Sequence, residues 1–253
     1  MKAESKTVIF TDIDGTILSE ENSWQETKPM IENILSRGAA LVFCSSKTKT
    51  EIESFRRQLN VTDPFISENG GAIFIPKGYF PFAIPRSKQT KKYDVIELGS
   101  PYPEVRAKLA RISSAIGVEI VGFGDMTASD IAKETGLPLA VAVSAKNREY
   151  DEPFRIVCGK ETAIAKAFEA EGLTLAVGSK FLHALANTDK GKAVTVLKSL
   201  FARVFGEIIT YGAGDGGNDL PMLAVVDVPQ LVRRKMGGNN ANLVAWRNLM
   251  NMI

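Results

Sequence analysis

Two carboxylates flank one apolar residue in Asp12-Ile13-Asp14, just before Gly15-Thr16. A carboxylate at a strand end can act as a nucleophile toward phosphorus. A second one, two residues on, can protonate the leaving oxygen and later take a proton from the attacking water. Gly15 permits the sharp turn that swings Asp14 back toward the same substrate. Three further groups of this kind follow. Ser45-Ser46 offers hydroxyls for a phosphate oxygen. Lys190, behind Asp189, offers a charge that balances a phosphoryl group. Gly214-Asp215-Gly216-Gly217-Asn218-Asp219 joins carboxylates to the glycines of an anion nest. Carboxylates gathered in one crevice repel, and burial raises their pKa values. A divalent cation relieves both effects, and all-oxygen donors suit Mg²⁺. Each group alone also fits a turn, a helix cap or a solvated charge. Their joint occurrence carries the information, since three of the four are expected at a strand end and Lys190 opens a helix.

Positioning these residues requires strands that end together. Residues 7–11 and 39–44 are apolar runs ending at Asp12 and Ser45, and read as buried parallel strands. Helices are expected over 24–37 and 48–59, a short strand at 65–67, and a hairpin of 72–75 with 80–82. The pattern then changes. A basic run at 86–92 leads into a strand (93–98), a helix (102–116) and a strand (118–122). Short helices near 129–135 and 138–144, a strand (152–157), a helix (160–171) and strands at 174–177 and 181–186 follow. The first pattern resumes with a helix at 190–205, a strand at 208–213, a short helix at 219–225 and a strand at 228–232. The expected architecture is α/β: a doubly wound, Rossmann-like parallel-sheet core (1–83 and 187–253) with an inserted α/β cap (84–186). In such a sheet, ligands bind beyond the carboxyl ends of the strands.

Composition removes other classes. The chain has 253 residues, 45% hydrophobic and 24% charged, enough apolar content for a large core. Lys plus Arg number 31 and Asp plus Glu 29, so a net charge of +2 argues against a nucleic-acid partner. Cys44 and Cys158 lie among apolar neighbours and are expected to be buried thiols. His183 is the single histidine, so a Cys/His zinc site is excluded. It falls on an apolar strand and is expected to be mainly structural. No secretory or membrane-spanning segment is expected, which makes the cytoplasm the default location.

Together, Asp-Ile-Asp-Gly-Thr, strand-end Ser45, Asp189-Lys190-Gly191 and Gly-Asp-Gly-Gly-Asn-Asp resemble the four motifs of the haloacid dehalogenase-like phosphatases. The insert resembles the cap of their Cof-type branch. Segments 45–48, 66–80, 148–153 and 178–192 are similar to the glycosyl-phosphoglycerate phosphatases within that branch. The resemblance implies Asp12 as nucleophile, Asp14 as general acid/base, Ser45 (or Ser46) as phosphate ligand and Lys190 as the third-motif lysine, with Lys192 as competitor. It implies Mg²⁺ held by the Asp12 carboxylate, the Asp14 carbonyl, Asp215 and, through water, Asp219. Ser46, Lys47, Asn69, Gly70, Lys180 and Asn218 are implied as substrate-binding. Lys180 stands where the pattern leads one to expect arginine, and an ammonium does not grip a carboxylate in two places. The implied partner is a small phosphorylated sugar, first mannosyl-3-phosphoglycerate, with a glucosyl analogue or sucrose phosphate as alternatives. A phosphomutase and a receiver-like phosphoacceptor are the remaining readings.

Overall fold

Val8, Ile9 and Phe10 are fully buried in succession, so the strand they form must be covered on both faces. The computed structural model describes residues 5–18, 23–158, 164–178, 180–232 and 241–253. Its first elements are β1 (Lys6–Thr11), α1 (Lys28–Ser36), β2 (Ala40–Cys44), α2 (Lys49–Gln58), β3 (Phe65–Ser67), β4 (Ala72–Pro76), β5 (Lys88–Gln89) and β6 (Tyr93–Glu97). Next come α3 (Tyr102–Ile116), β7 (Glu119–Gly122), α4 (Ala128–Thr135), α5 (Leu139–Lys146), β8 (Glu152–Cys158), α6 (Ile164–Ala170), β9 (Leu173–Val177) and β10 (Leu182–Ala186). The chain closes with α7 (Lys190–Phe205), β11 (Ile208–Gly214), α8 (Leu220–Leu223), β12 (Val228–Leu231) and α9 (Ala241–Met252).

Eight strands form one sheet in the order β12-β11-β1-β2-β3-β4-β6-β5. From β12 to β3 neighbours are parallel, and from β3 to β5 they are antiparallel. Alternate residues of each strand serve opposite cores. Ile9, Leu41 and Phe43 pack with Ile31 and Ile34 of α1, Ile52 of α2 and Trp246 of α9. Val8, Phe10, Ala40 and Val42 pack with Val194, Leu197 and Phe201 of α7 and Met222 of α8. The second sheet is antiparallel, β7-β8-β10-β9. Its apolar face buries Val105, Leu109 and Ile112 of α3 and Phe168 of α6. Phe123, Met126, Ile131 and Ala142 form a smaller cluster around α4 and α5. Among the described residues no helix is long and apolar enough to cross a membrane.

The core-plus-cap expectation is met as an α/β sheet with a smaller sheet inserted, but several elements differ from it. The strand expected at 93–98 pairs with β4 in the large sheet, so chain assigned to the insert from residue 84 on still extends the core. β4 thus takes β6 as its partner and not 80–82, whose rings are used otherwise: Phe80 meets Phe201 edge-on at 5.2 Å. The large sheet is therefore mixed at this end. The helix α9 was not anticipated. Its buried side, Asn242, Ala245, Trp246 and Leu249, has helical spacing, and Trp246 donates Nε1–H to the Thr16 carbonyl at 3.0 Å. Cys44 is buried as expected, but Cys158 is exposed because it ends β8, where the strand's last residues lie outside the core. The first four residues of the helix expected at 160–171 lie outside the described set.

Candidate active site

Parallel pairing lines up the carboxyl ends of β11, β1, β2 and β3 along one edge. Asp12 directly follows β1, and its amide donates to the Ala213 carbonyl of β11 at 2.9 Å. Ile13 is fully buried in the core, and its carbonyl accepts the amides of Thr16, Ile17 and Leu18. Gly15, at φ 72°, closes this turn in a left-handed conformation that glycine adopts without strain. Anchoring Ile13 inward leaves Asp12 and Asp14 on the cavity side.

Lys190 opens α7, whose start is fixed by the Asp189 carboxylate accepting the Lys192 amide at 2.8 Å. Its ammonium is buried and donates to Asp12 Oδ1 at 2.8 Å and to Asp219 Oδ1 at 2.5 Å. Lys192, the competing candidate, donates instead to the Asn187 carbonyl on the surface. Asp219 Oδ2 accepts the amides of Asp215 and Gly216, both at 2.9 Å. The glycine-rich loop is thus wound around the Asp219 carboxylate. A Cβ on Gly214 would stand 2.5 Å from the Asp219 Cβ, so no other residue fits there without a shift.

Carboxylate oxygens of Asp12, Asp215 and Asp219 lie within 4.8 Å of one another. The three carboxylates share a largely buried place. That donor set fits a hard divalent cation. Burial pushes the Asp12 carboxyl up to about 7; Lys190 opposes the rise, while Asp219 and Asp14 add to it. Burial disfavours the charge on Lys190, but Asp12 and Asp219 outweigh it and hold the ammonium above its ordinary range.

Asp14 is half-exposed, and its Oδ2 lies 2.9 Å from Lys47 Nζ. Burial disfavours the Lys47 charge, yet Asp14 and Glu51 outweigh it and raise its pKa. Lys47 thus holds Asp14 as well as lining the cavity. Ser45 is fully buried, its Oγ accepting the Lys47 amide at 3.3 Å, whereas Ser46 stands in the cavity wall. The cavity, about 410 Å³, opens between the strand ends and the small-sheet domain. Asp215 and Asn218 complete the core side, and Arg148, Lys180, Phe181 and His183 stand on the other.

Asn69 and Gly70, expected to bind substrate, are not in the cavity wall. The Asn69 amide is engaged on both sides: Nδ2 donates to Asp151 Oδ2 at 2.8 Å, and Oδ1 accepts from Asn218 at 2.9 Å. Gly70, at φ 98°, allows close packing, since a Cβ would stand 2.2 Å from the Asp189 carbonyl oxygen. Lys180 does line the cavity, and its ammonium donates to the Thr135 carbonyl at 2.8 Å.

One group was missed by sequence reasoning. Glu68 is buried and accepts the amides of Glu149, Tyr150 and Asp151 at 3.1, 2.8 and 3.0 Å. Burial pushes its carboxyl up to about 7 against the pull of Arg148. Arg148 in turn pairs with Asp151 at 3.0 Å and donates to the Ser46 carbonyl at 2.8 Å. This cluster ties the segment before β8 to the end of β3 and to the Ser46 turn. The clue in the sequence was Arg148-Glu149-Tyr150-Asp151, a charged run just before an apolar strand.

A family profile described as haloacid dehalogenase-like hydrolase matches residues 9–93. The chain is 40% identical over 243 residues to the glucosyl-3-phosphoglycerate/mannosyl-3-phosphoglycerate phosphatase of Methanococcoides burtonii, covering 94% of this chain and 89% of that one. It is 38% identical over 246 residues to the mannosyl-3-phosphoglycerate phosphatase of Pyrococcus furiosus, covering 97% and 99%. Among solved structures, a haloacid dehalogenase-like hydrolase from B. subtilis superposes with TM-score 0.64 at 17% identity, over 97% of this chain and 99% of that one. That last likeness concerns the fold.

Proposed function

Because this chain belongs to the haloacid dehalogenase-like hydrolases, as a phosphatase with an aspartate nucleophile, we propose that it hydrolyses a glycosyl-3-phosphoglycerate, foremost mannosyl-3-phosphoglycerate, to the glycosylglycerate and phosphate. The observation that carries this reading is the placement of Asp12 beside Lys190 and Asp219 at the floor of a cavity that Asp14 also faces. Relatives named for both mannosyl and glucosyl substrates support the sugar class.

In this reading an Asp12 oxygen attacks phosphorus and the bond to the leaving glycerate oxygen breaks. Asp14 gives that oxygen a proton. Water then attacks the aspartyl-phosphate, Asp14 takes the water's proton, and Asp12 and inorganic phosphate are released. Lys47 keeps Asp14 aimed at the cavity. Lys190 balances charge on the phosphoryl oxygens, where electrostatics does most of the catalysis. Ser45 or Ser46, with Asn218, would complete the phosphate site. Asp12, Asp215 and Asp219, with the Asp14 carbonyl, would hold Mg²⁺, which when bound neutralises phosphoryl charge.

Turnover of a panel containing mannosyl- and glucosyl-3-phosphoglycerate, sucrose phosphate and simple hexose phosphates tests the substrate. A glycosyl-3-phosphoglycerate is expected to give the highest kcat/KM; preference for a hexose phosphate would refute the proposal. Phosphate release without any bisphosphate activator separates hydrolysis from mutase chemistry. Chelation is expected to abolish activity and Mg²⁺ to restore it. A carboxyl must lose its proton to bind a metal, and that of Asp12 is pushed up to about 7. The Mg²⁺ concentration for half-activation should therefore rise about tenfold per pH unit below that value. A pH-independent half-activation constant between pH 5.5 and 7 would contradict this.

A further inference from the structure

His183 lies on β10 and lines the cavity, although the strand's other residues are apolar. Its Nδ1 faces the Asp151 carboxylate at 3.1 and 3.0 Å. Asp151 is fully buried; burial opposes its charge, but His183 and Arg148 outweigh this and hold the carboxyl below its usual range. An ionised carboxylate only accepts hydrogen bonds. Nδ1 therefore carries the proton, and Nε2 is the nitrogen left to meet a ligand. Among the described residues Nε2 has no hydrogen-bond partner. Beside it stands Gly178, which also lines the cavity. A Cβ on Gly178 would lie 2.9 Å from Nε2, so the absence of a side chain there keeps that nitrogen open to the cavity. The ring is aimed from the core side as well. Asn69 joins Asp151 to Asn218, and Arg148 joins Asp151 to the Ser46 turn. Two core loops that face the phosphoryl end thus fix the orientation of one ring on the small-sheet side.

We infer that His183 Nε2 hydrogen-bonds a hydroxyl of the sugar, making His183 a specificity residue and Asp151 the residue that positions it. The inference rests on the glycosyl-phosphate reading above. With phosphorus at Asp12, the part of the substrate that is not transferred lies toward the cavity's other wall, where His183 stands. The ammonium of Lys180 on the same wall suits the glycerate carboxylate, which leaves the imidazole for a neutral group.

The test compares kcat and KM for mannosyl-3-phosphoglycerate with those for p-nitrophenyl phosphate, which has no sugar, in wild type, His183→Asn and Gly178→Ala. Asparagine can keep the bond to Asp151 that Nδ1 makes but cannot reach as far as Nε2. The ratio of the two kcat/KM values is expected to fall about tenfold in His183→Asn, mainly through KM, as for loss of one hydrogen bond. Gly178→Ala, which sets a methyl group against Nε2, should lower the ratio in the same direction. A wild-type ratio in His183→Asn would overturn the inference and leave His183 structural. An equal loss on both substrates would overturn it too, as it would signal damage to the phosphoryl site. If the wild type turned over no glycosyl-3-phosphoglycerate, the substrate proposal would fall. The same ratio, taken with the best sugar phosphate of the panel, would then still decide the role of His183.

Discussion

Asp12→Asn is expected to lower kcat by at least about 10⁴ in saturating Mg²⁺, since loss of a covalent nucleophile leaves only binding and electrostatics. The amide occupies the same space and can still face Lys190, so the loss would report chemistry and not shape. Stability should move the other way. Burial raises the folded-state pKa of Asp12 to about 7, above its unfolded value. A group shifted in this sense stabilises the fold below its unfolded pKa, and that contribution is lost as pH rises through the folded one. At pH 8 without metal the ionised carboxylate therefore opposes folding. Asparagine removes that charge, and the variant in chelator should melt no lower than wild type. Full Mg²⁺-dependent turnover by Asp12→Asn would exclude Asp12 as nucleophile. A large drop in melting temperature would contradict the electrostatic account of the site.

Lys190→Met carries the second large effect, and here activity and stability should fall together. Methionine matches the length of the lysine stem but leaves Asp12 and Asp219 without their shared cation. Removing one partner of a buried ion pair costs about 3–5 kcal/mol. In a chain of this size that corresponds to a melting point lower by roughly 10 °C. Loss of a positioned charge at the reacting phosphoryl group should reduce kcat by about 10²–10³. Mg²⁺ should recover part of the stability, because a divalent cation supplies the charge the triad then lacks. Calorimetry with and without Mg²⁺, together with steady-state kinetics, would measure all three. An unchanged melting temperature in chelator would show that Lys190 does not hold the triad.

The site was legible where chemistry coincides with a strand end. Asp12, Asp14, Ser45 and Asp215 follow apolar runs whose length and composition mark buried strands, and β-sheet geometry then brings them together. Lys190 was legible from its place at the start of a periodic helix. What escaped detection depends on contacts with no local trace. Glu68 meets the amides of residues 149–151 across 81 to 83 positions, and Asn69 meets Asn218 across 149. The family resemblance implied Asn69 at the substrate; its amide links Asp151 and Asn218, a tie no local pattern reveals. The allocation of β6 failed for a related reason. A short alternating strand after a basic run does not say which sheet it joins; here it pairs along the free side of β4. Helix α9 was overlooked because Asn242 takes part in its buried side, so the apolar stripe is incomplete.

The pairing of β1 with β11 sets a timetable for the growing chain. Lys6 is in register with Ile208, and Thr11 with Ala213. β1 has no neighbour on that side until the ribosome has passed residue 208, whereas the small sheet spans only residues 119–186 and has all its strands earlier. Domains generally fold as units during synthesis, in the order in which they emerge. All strands of the cap are therefore synthesised before the catalytic floor can close. A chain halted short of Asp215 carries a cap and its histidine but lacks two of the three clustered carboxylates. Two of the three clustered carboxylates are thus made only after every strand of the cap.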